Sequence, residues 1–336
     1  MKKKISKNKM ARYKLLVLII LGFLIQFFIR EAYSSNIILA VLAAVVFAAL
    51  GFYYWEKGFF NFFLFALISI SFFVALEVSF NFGFYANFIL SLFVGVVFSS
   101  CHIRWKSNEN YALVLLIAFV LVWIINGFNV LDRYDWVLEN AINVPFIIII
   151  VFLSRWFRFS KLSYSLIFLY MFMNIVGSHY TYSEVPFGFW MEGFFGLGRN
   201  HYDRIIHFLF GLLLAYPLRE VYVRIGNYKG FWALMAPIIM VFGLSCIYEL
   251  VEWWIAVLFG GDLGVAYLGT QGDVWDAQKD MFLAGIGSIV TMFVTLIVIL
   301  SYKGKKYLAE IKESFRVKKK EELGEVALQK MEKRHK

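Results

Sequence analysis

Apolar runs long enough to cross a lipid bilayer recur from one end of the chain to the other, and no other feature restricts its fold so severely. They occupy residues 13–29, 36–54, 60–78, 83–101, 112–127, 141–158, 163–178, 204–222, 230–258 and 281–301. A helix rises about 1.5 Å per residue, so roughly 20 residues cover the hydrocarbon; the fifth and seventh runs are short for this. Because lipid offers no hydrogen bonds, each run must satisfy its backbone internally and reads as a helix. The expected fold class is all-α, a polytopic transmembrane helical bundle of about ten spans. Composition agrees: with 61% hydrophobic and only 17% charged residues in a chain of 336, too few charges remain to cover a soluble core.

The positions of lysine and arginine orient the bundle. The amino terminus, with Lys2, Lys3 and Lys4, is basic. So are the breaks holding Arg104 and Lys106, Arg155, Arg158 and Lys161, and Arg219, Arg224 and Lys229, together with the carboxyl tail. In a ten-span reading all of these lie on one side, expected to be cytoplasmic. The opposite breaks carry Asp132, Arg133, Asp135 and Glu139, then Glu184 and Glu192, then Asp262, Asp273 and Asp276. The net charge of +10 thus reads as topology and attraction to anionic head groups, and no basic groove or aromatic motif marks a nucleic-acid partner. The first run is longer than the apolar part of a signal peptide and lacks a small-residue cleavage site, so a retained span is expected. Cys101 and Cys246 fall near opposite faces, which argues against a disulfide.

Four regions are expected: a basic cytoplasmic amino terminus over 1–12, an amino-terminal membrane region over 13–158, a motif-bearing membrane region over 159–301 and a charged cytoplasmic tail over 302–336. The tail is expected to be exposed and partly helical.

Chemistry is concentrated in the motif-bearing region. It contains NIVGSHYTYSEVPFGFW, RNHYDRIIHFLFG, YELVEWW and GTQGDVWDAQKDMFLAGIG. Asp203 and His207 are four apart and share a helix face with Gly211 and Ala215. Small stripes let membrane helices approach closely, so that face should look into the bundle. Glu249 and Glu252 share a second face above Ser245, and Asp273, Asp276 and Asp280 a third that continues through Ala284 and Gly287. Topology puts all of them at the outer interface, with His179 and Tyr180 ending the seventh run there and Trp190, Trp253, Trp254 and Trp275 as interfacial aromatics. A lone acid at a helix start is more often a solvated cap. His207 and Glu249, however, lie inside apolar runs and need a partner or a wet cavity.

Carboxylates with a histidine and no thiolate favour a divalent metal such as Mg²⁺, Mn²⁺, Ca²⁺ or Zn²⁺. The candidate ligands are Asp203, His207, Glu249, Glu252, Asp273, Asp276 and Asp280. Candidate catalytic groups are His207, Glu249 and Asp280, and candidate substrate contacts are His179, Tyr202, Arg204, Gln271 and Trp275. Shared protons between glutamates, or pairing with Arg204 or Lys279, are the alternatives to a metal. The acid spacing of GDVWDAQKD is similar to that of CDP-alcohol phosphotransferases but lacks their glycine, alanine and arginine.

Taken together, HYTYSEVPFGFW, RNHYDRIIHFLFG, YELVEWW and LGTQGDVWDAQKDMFLA closely resemble the bacterial YjdF-type inner-membrane family, over about residues 160–300. The order of acid, His-Phe, Glu and Asp at Asp203, His207, Phe208, Glu249 and Asp280 looks more distantly like VanZ-like proteins. The resemblance implies a multi-pass protein of the bacterial inner membrane and supplies no reaction. Three readings stay open: a metal-dependent enzyme acting on a lipid or envelope precursor in the bilayer, a cation- or proton-coupled transporter, and a non-catalytic envelope scaffold. Few ionisable residues lie below Gly211, Ser245 and Gly287, which favours a one-sided pocket.

Overall fold

The computed structural model describes residues 37–80, 84–105, 108–196, 198–259, 268, 270–317 and 323–334. The expected first span at 13–29, the basic residues before it, Lys106 and Asp262 lie outside the described residues, as do the side chains of Cys101 and Arg104. Cys246 is free and exposed.

The described chain is helical. In order the helices are α1 (Ile37–Glu56), α2 (Phe59–Ser79), α3 (Phe84–Trp105), α4 (Asn108–Asn126), α5 (Arg133–Leu153) and α6 (Lys161–His179). They continue with α7 (Pro186–Phe195), α8 (Tyr202–Arg224), α9 (Trp232–Phe259), α10 (Asp276–Lys303), α11 (Lys305–Glu313) and α12 (Leu323–Arg334). Nine of the ten expected runs coincide with α1 to α6 and α8 to α10. Six of these, α2, α5, α6, α8, α9 and α10, are long and apolar enough to cross a membrane among the described residues.

Two expectations about the breaks require correction. The sixth apolar run spans 141–158, but α5 begins at Arg133, where the Asp132 carboxylate accepts from the Tyr134 and Asp135 amides at 2.8 and 3.0 Å. That cap starts the helix eight residues before the apolar run and puts Asp135 and Glu139 inside it. The break after α6 holds a further helix, α7, opened by Pro186 and closed by Gly196 in the left-handed region. Proline at the start and glycine past the end are ordinary helix punctuation, but ten residues cannot span a membrane.

Packing runs as a relay. The main core joins α2, α4, α6 and α8 through residues such as Ile68, Val122, Met171, Ile175 and Leu214, and a second cluster joins α1, α2 and α3. A third unites α8, α9 and α10 around Ala215, Val241, Ala284 and Met292. The closest approach is between α8 and α10. A Cβ on Gly211 would strike the Ala284 carbonyl, and one on Gly287 the Phe208 carbonyl, so the backbones themselves touch. The expected small-residue stripes therefore face each other, as close helix packing requires. Thr291 Oγ1 hydrogen-bonds the Leu212 carbonyl across this seam. Large apolar side chains such as Ile148, Val257 and Phe293 point outward, as lipid-facing positions do.

The tail is more anchored than expected. In α11 the buried Tyr307 donates to the Gly230 carbonyl at 3.1 Å, and Trp232 Nε1 donates to the Ser314 carbonyl at 3.0 Å. These contacts fasten the segment after α10 under the α8–α9 turn. Further on, residues 324–334 of α12 are exposed apart from half-buried Val326.

Candidate functional site

The start of α8 is held by a scaffold of backbone and amide bonds. Asn200 Nδ2 donates to the Val185 carbonyl at 2.9 Å, while its Oδ1 accepts from the Tyr202 amide at 3.0 Å. Gly188 permits this, since a Cβ there would collide with the Asn200 amide. Gln271 and Asn200 exchange two bonds of 3.0 Å each, which closes the 270–275 loop onto α8. Tyr202 is buried and donates to the Met173 carbonyl at 2.7 Å.

Above this scaffold the ionisable groups separate into two compartments. In the outer one, Arg199 contacts Asp276 at 2.7 Å, and Arg204 contacts Asp276 at 3.0 Å and also Asp273. Lys279 reaches Asp273 at 2.5 Å, and Arg199 Nη1 also donates to the Thr270 carbonyl at 2.9 Å. The Lys279 ammonium and the Trp275 amide hold the Asp273 carboxyl well below the usual carboxylate range. Arg199 was missed by the sequence reading, because it lies in a turn and nothing in its spacing points to a partner more than seventy residues away.

The inner compartment lies one turn deeper. His207 Nε2 is 3.7 Å from Asp203 Oδ1 and 3.4 Å from Glu249 Oε1. Asp203, His207 and Asp280 each offer a ligand atom, and the three atoms lie within 4.8 Å of one another. His207 and Asp280 are buried, and the His207 ring meets Tyr248 edge-on at 5.6 Å. Glu249 hydrogen-bonds to Glu252, which also bonds Tyr248. Among the described residues no lysine or arginine forms an ion pair with Asp203, Glu249, Glu252 or Asp280. Glu249 Oε1 and Asp280 Oδ1 are buried and accept no hydrogen bond, an arrangement rare for buried polar atoms.

Glu139 belongs to this compartment. It is buried on α5, hydrogen-bonds to Tyr248 and feels the charge of Asp203. The expectation that it sits in a separate outer break is corrected: once Asp132 starts α5 early, Glu139 is carried two turns into the bundle. Tyr170 of α6 and Tyr182 interact electrostatically with the same acids. Burial pushes the Tyr182 phenol up, and its hydroxyl donates to the Asn174 carbonyl at 3.1 Å.

The structure thus brings Asp203, His207, Glu249, Glu252 and Asp280 together and sets Asp273 and Asp276 beside them on arginine and lysine. The expected substrate contacts are dispersed. His179 Nδ1 lies 2.8 Å from the Asn126 carbonyl, which ties it to the end of α4. Tyr202 and Gln271 are engaged by the scaffold, and Arg204 by the two aspartates. Trp275, 62% exposed, points outward with Trp253 and Trp254, as interfacial tryptophans do.

A family model described as predicted membrane protein (DUF2238) matches residues 111–301. The inner membrane protein YjdF of Escherichia coli (strain K12) is 38% identical over 181 residues, which cover 52% of this chain and 84% of that protein. No solved structure matches.

Proposed function

The chain belongs to the YjdF-type DUF2238 family of predicted membrane proteins, and from that premise we propose that it is a multi-pass inner-membrane protein that holds a divalent cation between Asp203, His207 and Asp280 to act on a lipid or envelope precursor. One observation carries the reading: three ligand atoms from two helices lie within 4.8 Å, and among the described residues no lysine or arginine is in ion-pair contact with these acids. Buried like charges need protons, counter-charges or a metal, and the nearby arginines are taken up by Asp273 and Asp276. An oxygen-rich set with one imidazole suits a hard or borderline cation. Held by these three side chains, such an ion would supply Lewis-acid chemistry for a phosphoryl or acyl oxygen, and Glu249, 3.4 Å from His207, would serve as the neighbouring proton acceptor.

Metal analysis of the purified full chain tests this directly. Chelator-treated protein should gain stability when Mg²⁺, Mn²⁺, Ca²⁺ or Zn²⁺ is returned; at a hundred times the dissociation constant, binding adds about 2.7 kcal/mol. Glu249→Gln, altering the carboxyl 3.4 Å from His207, should weaken binding about tenfold, in the range seen for groups that orient a ligand. Glu184→Gln, exposed in the loop before α7, should leave it unchanged. No metal and no stabilisation by any of the four ions would sink the proposal.

A second reading rests on the hydrogen-bonded series Glu139, Tyr248, Glu252 and Glu249 leading to His207. There the carboxyls share protons, and the site passes them without a metal. That reading predicts loss of proton-coupled transport in Tyr248→Phe, whereas a metal site tolerates the change.

Basic ends of α6, α8 and α10, at Lys161, Arg224 and Lys303, support cytoplasmic termini and an outer-facing site. A cysteine at Gly272, tested in cells, should react with a membrane-impermeant maleimide from outside. Labelling only after lysis would reverse the orientation.

A further inference from the structure

At the end of the bundle opposite the acidic site, helices α4 and α5 enclose a cavity of about 730 Å³ over a floor made by α6. Seventeen residues of α8 separate His207 from Arg224, a rise of about 25 Å. The shape of the cavity follows from how the helices meet. Near their other ends α4 and α5 are joined: Trp123 stacks on Trp136 at 5.9 Å and donates to Asn140 Oδ1 at 2.7 Å. Pro145 then interrupts the backbone ladder of α5, where a helix bends. Beyond it the walls are Leu116, Ile147 and Ile150, and the floor is Phe168 and Met171. Leu113 and Val151, one on each rim, are 46% and 43% exposed, so the crevice opens sideways, where the bilayer lies.

Its polar end is basic. Arg155, Arg158 and Arg224 line it against one acid, Glu220, a balance of three positive charges to one negative. Glu220 is already engaged: it accepts from Arg224 at 2.6 Å, from the Ser160 amide at 3.0 Å and from Ser163 Oγ at 2.6 Å. Arg155 lies over the Phe152 ring at 5.5 Å, at the cavity mouth. A lateral, acyl-sized apolar slot under a guanidinium collar matches one amphiphile in both parts.

We propose that the α4–α5 crevice is a binding site for an anionic phospholipid of the bilayer, its phosphate on Arg155 and Arg158 and an acyl chain between Leu116 and Ile150. Guanidinium groups bind phosphate through paired hydrogen bonds, and basic pockets between membrane helices on this kind of face favour anionic head groups. The volume falls within the few hundred to about 1,000 Å³ usual for small-molecule sites. The site is independent of the acidic compartment and holds whatever that compartment does.

Native mass spectrometry of the delipidated full chain decides it. Phosphatidylglycerol should bind about tenfold or more tightly than phosphatidylcholine with the same acyl chains. Arg155→Gln with Arg158→Gln should remove that preference, and Ile150→Trp, which fills the slot, should reduce binding of both lipids. Arg316→Gln, exposed on the tail, should change nothing. Because Ile150→Trp could disturb folding, each variant's unfolding temperature is recorded beside its binding. Equal affinity for the two lipids, an unchanged preference in the double arginine variant, or equal binding of soluble glycerol phosphate would overturn the proposal.

Discussion

Gly211→Leu is expected to leave the chain unable to assemble its α8–α10 seam, a loss of about 4 kcal/mol or more, at the far end of what single substitutions do. The size follows from what the new side chain meets. At Gly211 even the Cβ would overlap the Ala284 carbonyl and crowd the Ser288 amide, and at Gly287 the Phe208 carbonyl and Leu212 amide. These are backbone atoms, which cannot swing aside, so two helices must separate along their whole contact. Gly243 supplies the contrast, since a Cβ there has nothing within 4 Å. Gly243→Leu should be neutral or slightly stabilising, because glycine costs a helix up to about 1 kcal/mol. Detergent-solubilised yield and reversible unfolding of the two variants make the comparison. If Gly211→Leu folds as well as Gly243→Leu, the backbone contact is not present.

The seam also sets the site. Asp203 and His207 lie two turns and one turn before Gly211 on α8, and Asp280 one turn before Ala284 on α10. Bringing Asp280 into the 4.8 Å group with Asp203 and His207 depends on the same close approach. Gly211→Ala, a milder insult, should therefore weaken any ligand held there before it unfolds the chain.

That much is legible in the sequence, because four-residue spacing fixes a helix face whatever the tertiary structure. Asp203, His207, Gly211 and Ala215 read as one stripe, Asp280, Ala284 and Gly287 as another, and both stripes face inward in the structure. Glu139 is the instructive failure. Its neighbourhood, DRYDWVLENAINVP, is polar enough that a hydropathy window begins the span late. Yet Asp135, Glu139 and Asn143 recur every four residues and are all buried. Period-four acids after the helix-starting Asp132 were the available signal, and polar stripes inside a bundle follow the same periodicity as apolar ones. Arg199 carried no such signal, since its partners are set by loop closure through Asn200 and Gln271. Helix α7 announced itself by proline and glycine punctuation, but a search for membrane-length runs passes over ten residues.

Arg199→Ala is expected to destabilise the protein by about 3–5 kcal/mol, because it strands a buried carboxylate and not because the ion pair itself is strong. Arg199 and Asp276 are 10% and 5% exposed and 2.7 Å apart. Arg204 touches the same Asp276 oxygen at 3.0 Å but also contacts Asp273, which Lys279 reaches from the exposed side, so buried Asp276 would be left with one shared guanidinium. The second substitution separates the causes. If the stranded charge dominates, Arg199→Ala with Asp276→Asn should recover at least half of the loss, since removing both members of a buried pair is far cheaper than removing one. If the double variant is as unstable as the single one, Arg199 acts instead by holding the Thr270 carbonyl at 2.9 Å, and the outer compartment is a hinge of the 270–275 loop. Recovery in the double variant would establish that Arg199 acts by neutralising the buried Asp276 carboxylate.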